Sequence, residues 1–236
     1  QKIVTMHDLE DAKDKIMMGT ERRSMVMQKS EKELTAYHEA GHAITAVKCP
    51  NSDPIHKATI IPRGRALGLV MRLPENDVFS VSRAKLHDDL IVAMGGRAAE
   101  ELIFGKDKVT TGASSDISHA TDMARSMVTK WGLSDKVGTV NYSSDEGRNP
   151  YGVPHKEFSD DTARIIDEEV KRIVEESLDK ARNILKKNTK GLESVAQALL
   201  EYETLTGDEI KDLVAGKKIK KPGSLNKDGS SVVPNM

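Results

Sequence analysis

The segment His38-Glu39-Ala40-Gly41-His42 constrains this chain more than any other, because its chemistry is usable only on a helix. Residues four apart on an α-helix are separated by about 40° of azimuth and one turn of rise, so His38 and His42 project from one face and can bind one metal ion. Glu39 lies about 100° round from His38, outside that clamp but within reach of a water held on the metal, where a general base belongs. The flanking residues ask for the helix. Ser30-Glu31-Lys32-Glu33 reads as a capping box, apolar Tyr37, Ala40, Ile44 and Val47 recur at three- and four-residue steps, and Cys49-Pro50-Asn51 supplies a stop. The competing reading, a plain polar helix face, needs none of this context.

Two imidazoles do not complete a metal site, and the sequence offers two sources for a third donor. Glu100 and Glu101 lie on a short helix expected over Arg97 to Phe104, and one large class of H-E-x-x-H enzymes takes its third ligand from a downstream glutamate. Asp116 follows the small-residue loop Thr110 to Ser115 and sits at a helix start. There free amides and the positive dipole end favour the ionised carboxylate that binds cations, and equally suit an ordinary capping aspartate. Spacing leaves both sources open. His119, one turn beyond Asp116, reads as a surface or second-layer histidine.

Composition removes several function classes. Thirty-six basic against 37 acidic residues leave a formal charge of -1, so there is no electrostatic footprint for nucleic acid. A single cysteine, Cys49, excludes an internal disulfide and fits a reducing compartment. No apolar run approaches the roughly 18 residues of a membrane helix, so the chain itself is expected to be soluble. With 37% apolar residues but only eight aromatic ones, the core should be aliphatic and rich in methionine. Beginning at Gln1 without a signal-peptide pattern, the chain reads as a piece of something longer.

Along the chain the pattern is mainly helical. A capped helix from Thr5 to Met18 stops at Gly19, and Glu21 to Lys29 is a linker. Lys57 to Ile61 and Leu67 to Leu73 form the one clear β-hairpin, turned by Pro62-Arg63-Gly64-Arg65, and its second strand has an edge able to accept an extended peptide. A helix over Ser82 to Met94 is broken or bent by Gly95-Gly96. The helix after Asp116 should bury Ile117, Ala120, Ala124, Met127 and Trp131. A long loop is expected over Tyr142 to Lys156. A long helix from Ser159 to about Asn188 should bury Ile166, Val170, Ile173, Ser177, Ala181 and Ile184, with Asp167, Glu168 and Glu169 on its solvated face. Helices over Leu192 to Tyr202 and from the Thr206/Glu209 capping box to Gly216 follow, and Lys217 to Met236 is expected to be disordered.

Several of these segments together resemble the peptidase region of the FtsH-type ATP-dependent zinc metalloproteases, membrane-anchored AAA+ proteases of bacteria and organelles. The resemblance rests on Lys15 to Gly19 with Glu21-Arg22-Arg23-Ser24, on Thr35 to Ala43, on Ile60 to Gly68, on Gly95 to Glu101 and on Thr111 to Asp116, in that order. It implies a mainly α, helical zinc peptidase domain with a small β-ribbon. Residues 1–25 would be the end of the ATPase module and its linker, 26–216 the metallopeptidase domain and 217–236 the tail. It further implies Zn(2+) held by His38, His42 and Asp116, Glu39 as catalytic base, and a homohexameric ring beneath an ATPase ring. ATP would be used only by the AAA+ module of the full-length parent, since no nucleotide site lies in this stretch. Substrates would be unfolded or membrane proteins, and the parent would sit at the cytoplasmic face of the bacterial inner membrane, or in an organellar membrane. From the hairpin edge, Leu67, Gly68, Leu69 and Val70 are the expected substrate-binding residues.

Rival readings are a structural zinc or oligomerisation module, which would need a fourth protein ligand that Cys49 is badly placed to supply, and a silent binding module, which would not need Glu39. The metzincin pattern fails because Thr45 and Lys48 stand where it requires Gly and His.

Overall fold

The computed structural model describes residues 3–22, 24–25, 27–64, 66–142 and 158–219. In chain order its elements are α1 (Met6–Met18), α2 (Lys29–Lys48), β1 (Ile55–Thr59), β2 (Leu69–Arg72), α3 (Arg83–Ala93), α4 (Gly95–Phe104), α5 (Ser114–Thr129), α6 (Asp160–Lys187), α7 (Thr189–Tyr202), β3 (Thr204–Thr206) and α8 (Gly207–Val214). The fold is mainly α with one small antiparallel sheet, in strand order β2-β1-β3. Most of the loop expected over 142 to 156, and of the tail expected over 217 to 236, lies outside the described residues. Among the described residues no helix is long and apolar enough to cross a membrane.

The helix carrying the two histidines is the centre of the domain. α2 packs against α4 on one side and α7 on the other. The expected stripe of Tyr37, Ala40, Ile44 and Val47 is therefore only part of its buried surface, since Thr35, Ala36, Gly41, Ala43, Thr45 and Ala46 are buried as well. Small side chains let α4 come close. A Cβ on Gly41 would lie 2.4 Å from the Gly95 carbonyl oxygen, and one on Gly95 would lie 2.5 Å from Thr45 Oγ1. Gly95-Gly96 does mark the end of α3, as expected, but both glycines belong to the first turn of α4, where they permit this crossing. The start of α2 is one correction. Its cap is Gln28, whose backbone N–H donates to Glu31 Oε2 at 3.3 Å, so the helix begins ahead of the expected Ser30.

Around α2 the core is aliphatic, with Ile44, Leu90, Ile173, Leu185, Leu192, Leu199, Leu205 and Ile210 among its fully buried side chains. Burying each contributes on the order of 1.5–3 kcal/mol. It is not rich in methionine. Among the described residues Met18, Met94 and Met127 are buried, while Met6, Met17 and Met25 are exposed. Two helices bury most of their expected stripes. α5 buries Ala120, Ala124 and Met127 but leaves Ile117 in its first turn and Trp131 beyond its end exposed, and α6 buries Ile166, Val170, Ile173, Ser177 and Ala181, with Leu185 in place of Ile184 and with Glu169.

The hairpin pairs Ala58 with Val70 and Thr59 with Leu69, with an irregularity between Ile55 and Lys57. β3, on the far side of β1, pairs Ala58 with Leu205. Three residues are too few to show alternation, so sequence reading gave only the Thr206 cap of α8 and not the strand before it. Leu205 is fully buried, and a Cβ on Gly207 would lie 1.8 Å from the Ile55 carbonyl oxygen, so glycine is required where the chain passes under β1. With β1 in the middle, β2 keeps one edge unpaired among the described residues.

Candidate metal centre and cleft

His38 and His42, one turn apart on α2, are each fixed at Nδ1. The His38 Nδ1–H donates to Glu100 Oε1 at 2.7 Å, and the His42 Nδ1–H donates to the Val92 carbonyl oxygen at 2.7 Å. Both Nε2 atoms are thereby turned toward each other, 3.1 Å apart, and toward Asp116 Oδ2, which lies 3.2 Å from that of His38 and 3.4 Å from that of His42. A tetrahedral zinc with bonds of 2.0–2.1 Å separates its donors by about 3.3 Å, so this triangle has the size such an ion needs. The donor set has the right chemistry too. With both Nδ1 atoms committed as donors, two neutral rings would set lone pair against lone pair across 3.1 Å, and a shared cation relieves that. Burial disfavours charge on His38, but the Asp116 and Glu100 carboxylates outweigh it and raise its pKa to about 10. Burial likewise opposes ionisation of Asp116, yet its bonds to the two imidazoles hold the carboxyl well below the usual range.

Glu39 does not join that triangle. It is 5% exposed, and burial raises its carboxyl pKa against the opposing pull of His38 and His42. Gly68, just before β2, closes over it so tightly that a Cβ there would lie 2.6 Å from Glu39 Oε1. Between α2 and the hairpin runs a cleft of about 820 Å³, lined on one side by the histidines, Glu39 and Asp116 and on the other by Leu67 to Val70. The structure thus groups His38, His42 and Asp116 at one point, with Glu39 and Leu67 to Val70 lining the same cleft.

Comparison with known proteins gives the family. The family model for peptidase family M41 matches residues 25–213. The chain belongs to peptidase family M41. It is 58% identical over 94% of its length to the ATP-dependent zinc metalloprotease FtsH of Neorickettsia risticii (strain Illinois), and 58% identical over 93% to that of Rickettsia bellii (strain RML369-C). With the FtsH of Caulobacter vibrioides (strain NA1000 / CB15N) the identity is 55% over 92% of the chain. In each case the chain spans about a third of the relative's length, 34% or 35%.

Within this M41 domain the two downstream glutamates separate. Glu100, fully buried, lies on the Nδ1 side of His38, away from the triangle, where it also accepts from the Thr110 N–H at 3.0 Å and hydroxyl at 3.3 Å. Burial opposes its ionisation, but the bonds from His38 and Thr110 keep it a carboxylate. Glu101 points elsewhere, bonded by Arg97 and Arg182. Neither is among the three grouped donors. His119 lies on the cleft wall near α5's first turn.

Two features escaped sequence reading. Gly96 is one: a Cβ there would sit 2.4 Å from His38 Nε2 and 2.6 Å from His42 Nε2, so glycine makes room for both rings. Gly68 over Glu39 is the other. Gly96 was visible as a helix breaker and Gly68 as part of the hairpin edge, but only a neighbour from another element shows that a methyl group would collide.

Proposed function

We propose that the chain is a zinc endopeptidase domain, the proteolytic part of an ATP-dependent protease acting on unfolded or membrane proteins. The observation that carries it is the triangle of His38 Nε2, His42 Nε2 and Asp116 Oδ2, with edges of 3.1, 3.2 and 3.4 Å beside a buried glutamate. His38, His42 and Asp116 would hold Zn(2+), with Glu100 and the Val92 carbonyl fixing the tautomer and direction of the imidazoles. Bound there, zinc would supply Lewis acidity toward the scissile carbonyl and toward water.

The remaining chemistry belongs to the chain. The Glu39 carboxylate takes the proton of the attacking water and afterwards gives it to the leaving amine, so one group serves as base and then acid. Leu67, Gly68, Leu69 and Val70 bind substrate as an added antiparallel strand, and main-chain pairing of this kind accepts many sequences. Residues 1–25 join the domain to an AAA+ ATPase module of the same parent, which assembles as a homohexamer at the cytoplasmic face of a bacterial inner membrane. Cys49, at the end of α2, lies outside the three-donor group, which speaks against a closed structural zinc site.

Hydrolysis of an unfolded polypeptide, with and without chelator, tests the reading alongside zinc content. Glu39→Gln should keep zinc and lose cleavage by at least about 10²-fold, and Asp116→Ala should lose both. Full zinc content in Asp116→Ala, or undiminished cleavage by Glu39→Gln, would overturn the assignment of that residue.

A further inference from the structure

Arg63 is a buried cation that this chemistry does not use. Its side chain is 8% exposed, yet both of its described partners lie on the N-terminal segment: Nη1 donates to the Gly19 carbonyl oxygen at 3.1 Å and Nη2 to Glu21 Oε1 at 2.6 Å. Its Nε has no partner among the described residues, so the guanidinium gives up one of its own bonds to bridge these two points. Arg22 reaches back across the same seam. Its backbone N–H donates to the Pro62 carbonyl oxygen at 2.8 Å and its Nη1 to that of Gly64 at 3.0 Å. A second tie lies further up the segment, where Asp14 pairs with Lys57 of β1. Elsewhere on α1, Met6, Leu9 and Ile16 are all more than half exposed.

What the seam holds is the turn that leads to the cleft. The β1–β2 ladder ends at Thr59 and Leu69, so residues 62–68 lie beyond it. Arg63 and Ala66 close the turn by exchanging backbone hydrogen bonds of 3.0 and 2.9 Å, and Gly64 turns with a φ of 56°. Two residues after Ala66 comes Gly68, pressed against Glu39. We infer that the Glu21–Arg63 pair is a clamp by which the N-terminal segment positions Gly68 over Glu39, which makes Arg63 a positioning residue for peptide hydrolysis. The clamp crosses residue 25, where the family match begins, so displacement of α1 is delivered to the cleft wall. This inference rests on the peptidase reading for its catalytic half only.

Two measurements on the chain and on Glu21→Gln, Arg63→Met and the double variant test it: kcat and KM for an unfolded polypeptide, and amide hydrogen exchange over residues 66–70. A displaced wall should lower kcat about tenfold in Arg63→Met and about threefold in Glu21→Gln, with KM within about twofold and zinc content unchanged. The double variant should be no slower than Arg63→Met, because both act through one contact. Exchange over 66–70 should quicken in each. Glu21→Gln changes an exposed partner, so it stays informative if Arg63→Met fails to fold. Wild-type kcat and wild-type exchange in Glu21→Gln would overturn the clamp. If the unaltered chain shows no chelator-sensitive cleavage, the peptidase reading falls instead, and the exchange arm alone decides whether the seam holds the turn.

Discussion

The two walls of the cleft are built on opposite principles. The helical wall, α2 against α4, is held by close backbone packing and by hydrogen bonds to both Nδ1 atoms, so its imidazoles have one orientation. The hairpin wall is half-buried, has one unpaired edge and is tied at its turn to a segment outside the family match. The difference assigns separate tasks. A metal site needs donors fixed before the ion arrives, whereas a wall that admits an extended chain needs free backbone groups and a position that can be adjusted. Damage to the first should appear as lost metal, damage to the second as lost turnover with metal retained.

That division can be broken in four ways. Gly96→Val should have the largest effect, since a side chain 2.4 Å from the His38 ring displaces the donors; zinc competition should show affinity lowered by more than about 10²-fold, with cleavage lost as a consequence. Gly68→Ala works on the opposite wall. It should push Glu39 aside and lower kcat by about 10²-fold while zinc stays bound, and equal loss of zinc would erase the distinction between the walls. Glu100→Gln keeps the shape but weakens the hold on His38, so zinc affinity should fall about 10-fold and KM should not move.

The smallest effect on activity is expected at Glu169, which belongs to neither wall. It is 1% exposed, and bonds from Arg172, Lys136 and Ser134 outweigh burial to lower its pKa from 4.5 to about 2. A carboxyl depressed in the folded state stabilises it above the ordinary value, and that contribution is lost as pH falls from 4.5 toward about 2. Glu169→Gln should therefore cost on the order of 1–3 kcal/mol at neutral pH, flatten the acid limb of thermal stability and leave kcat unchanged. A kcat change in this variant would show that the bundle beneath the site is coupled to it.

How far the sequence could be read follows from how local each signal is. Four-residue spacing put His38 and His42 on one face, and a capping pattern gave the start of α8, because both are properties of a few consecutive residues. Spacing alone left Asp116, Glu100 and Glu101 open, and only the family resemblance pointed to Asp116, because spacing says nothing about which loop folds back over α2. The structure puts Asp116 at the imidazoles' Nε2 side and Glu100 at the Nδ1 of His38, and a choice of ring nitrogen has no trace in sequence. Glu169 read as solvated for the same reason: Ser134 and Lys136, which enclose it, come from a turn some 35 residues away. β3 was too short to alternate, and Ile117 and Trp131, in the first turn of α5 and beyond its end, are exposed although they continue its apolar spacing.

By itself, then, the sequence determined the helix, the pair of imidazoles and the glutamate beside them, since helical geometry converts spacing into direction without help from elsewhere. Only tertiary structure decided which carboxylate meets the pair, which one steers it, and which glycines must stay bare. Those are contacts between elements far apart in the chain, set by the packing of α2 against α4 and the hairpin, and no local pattern carries them.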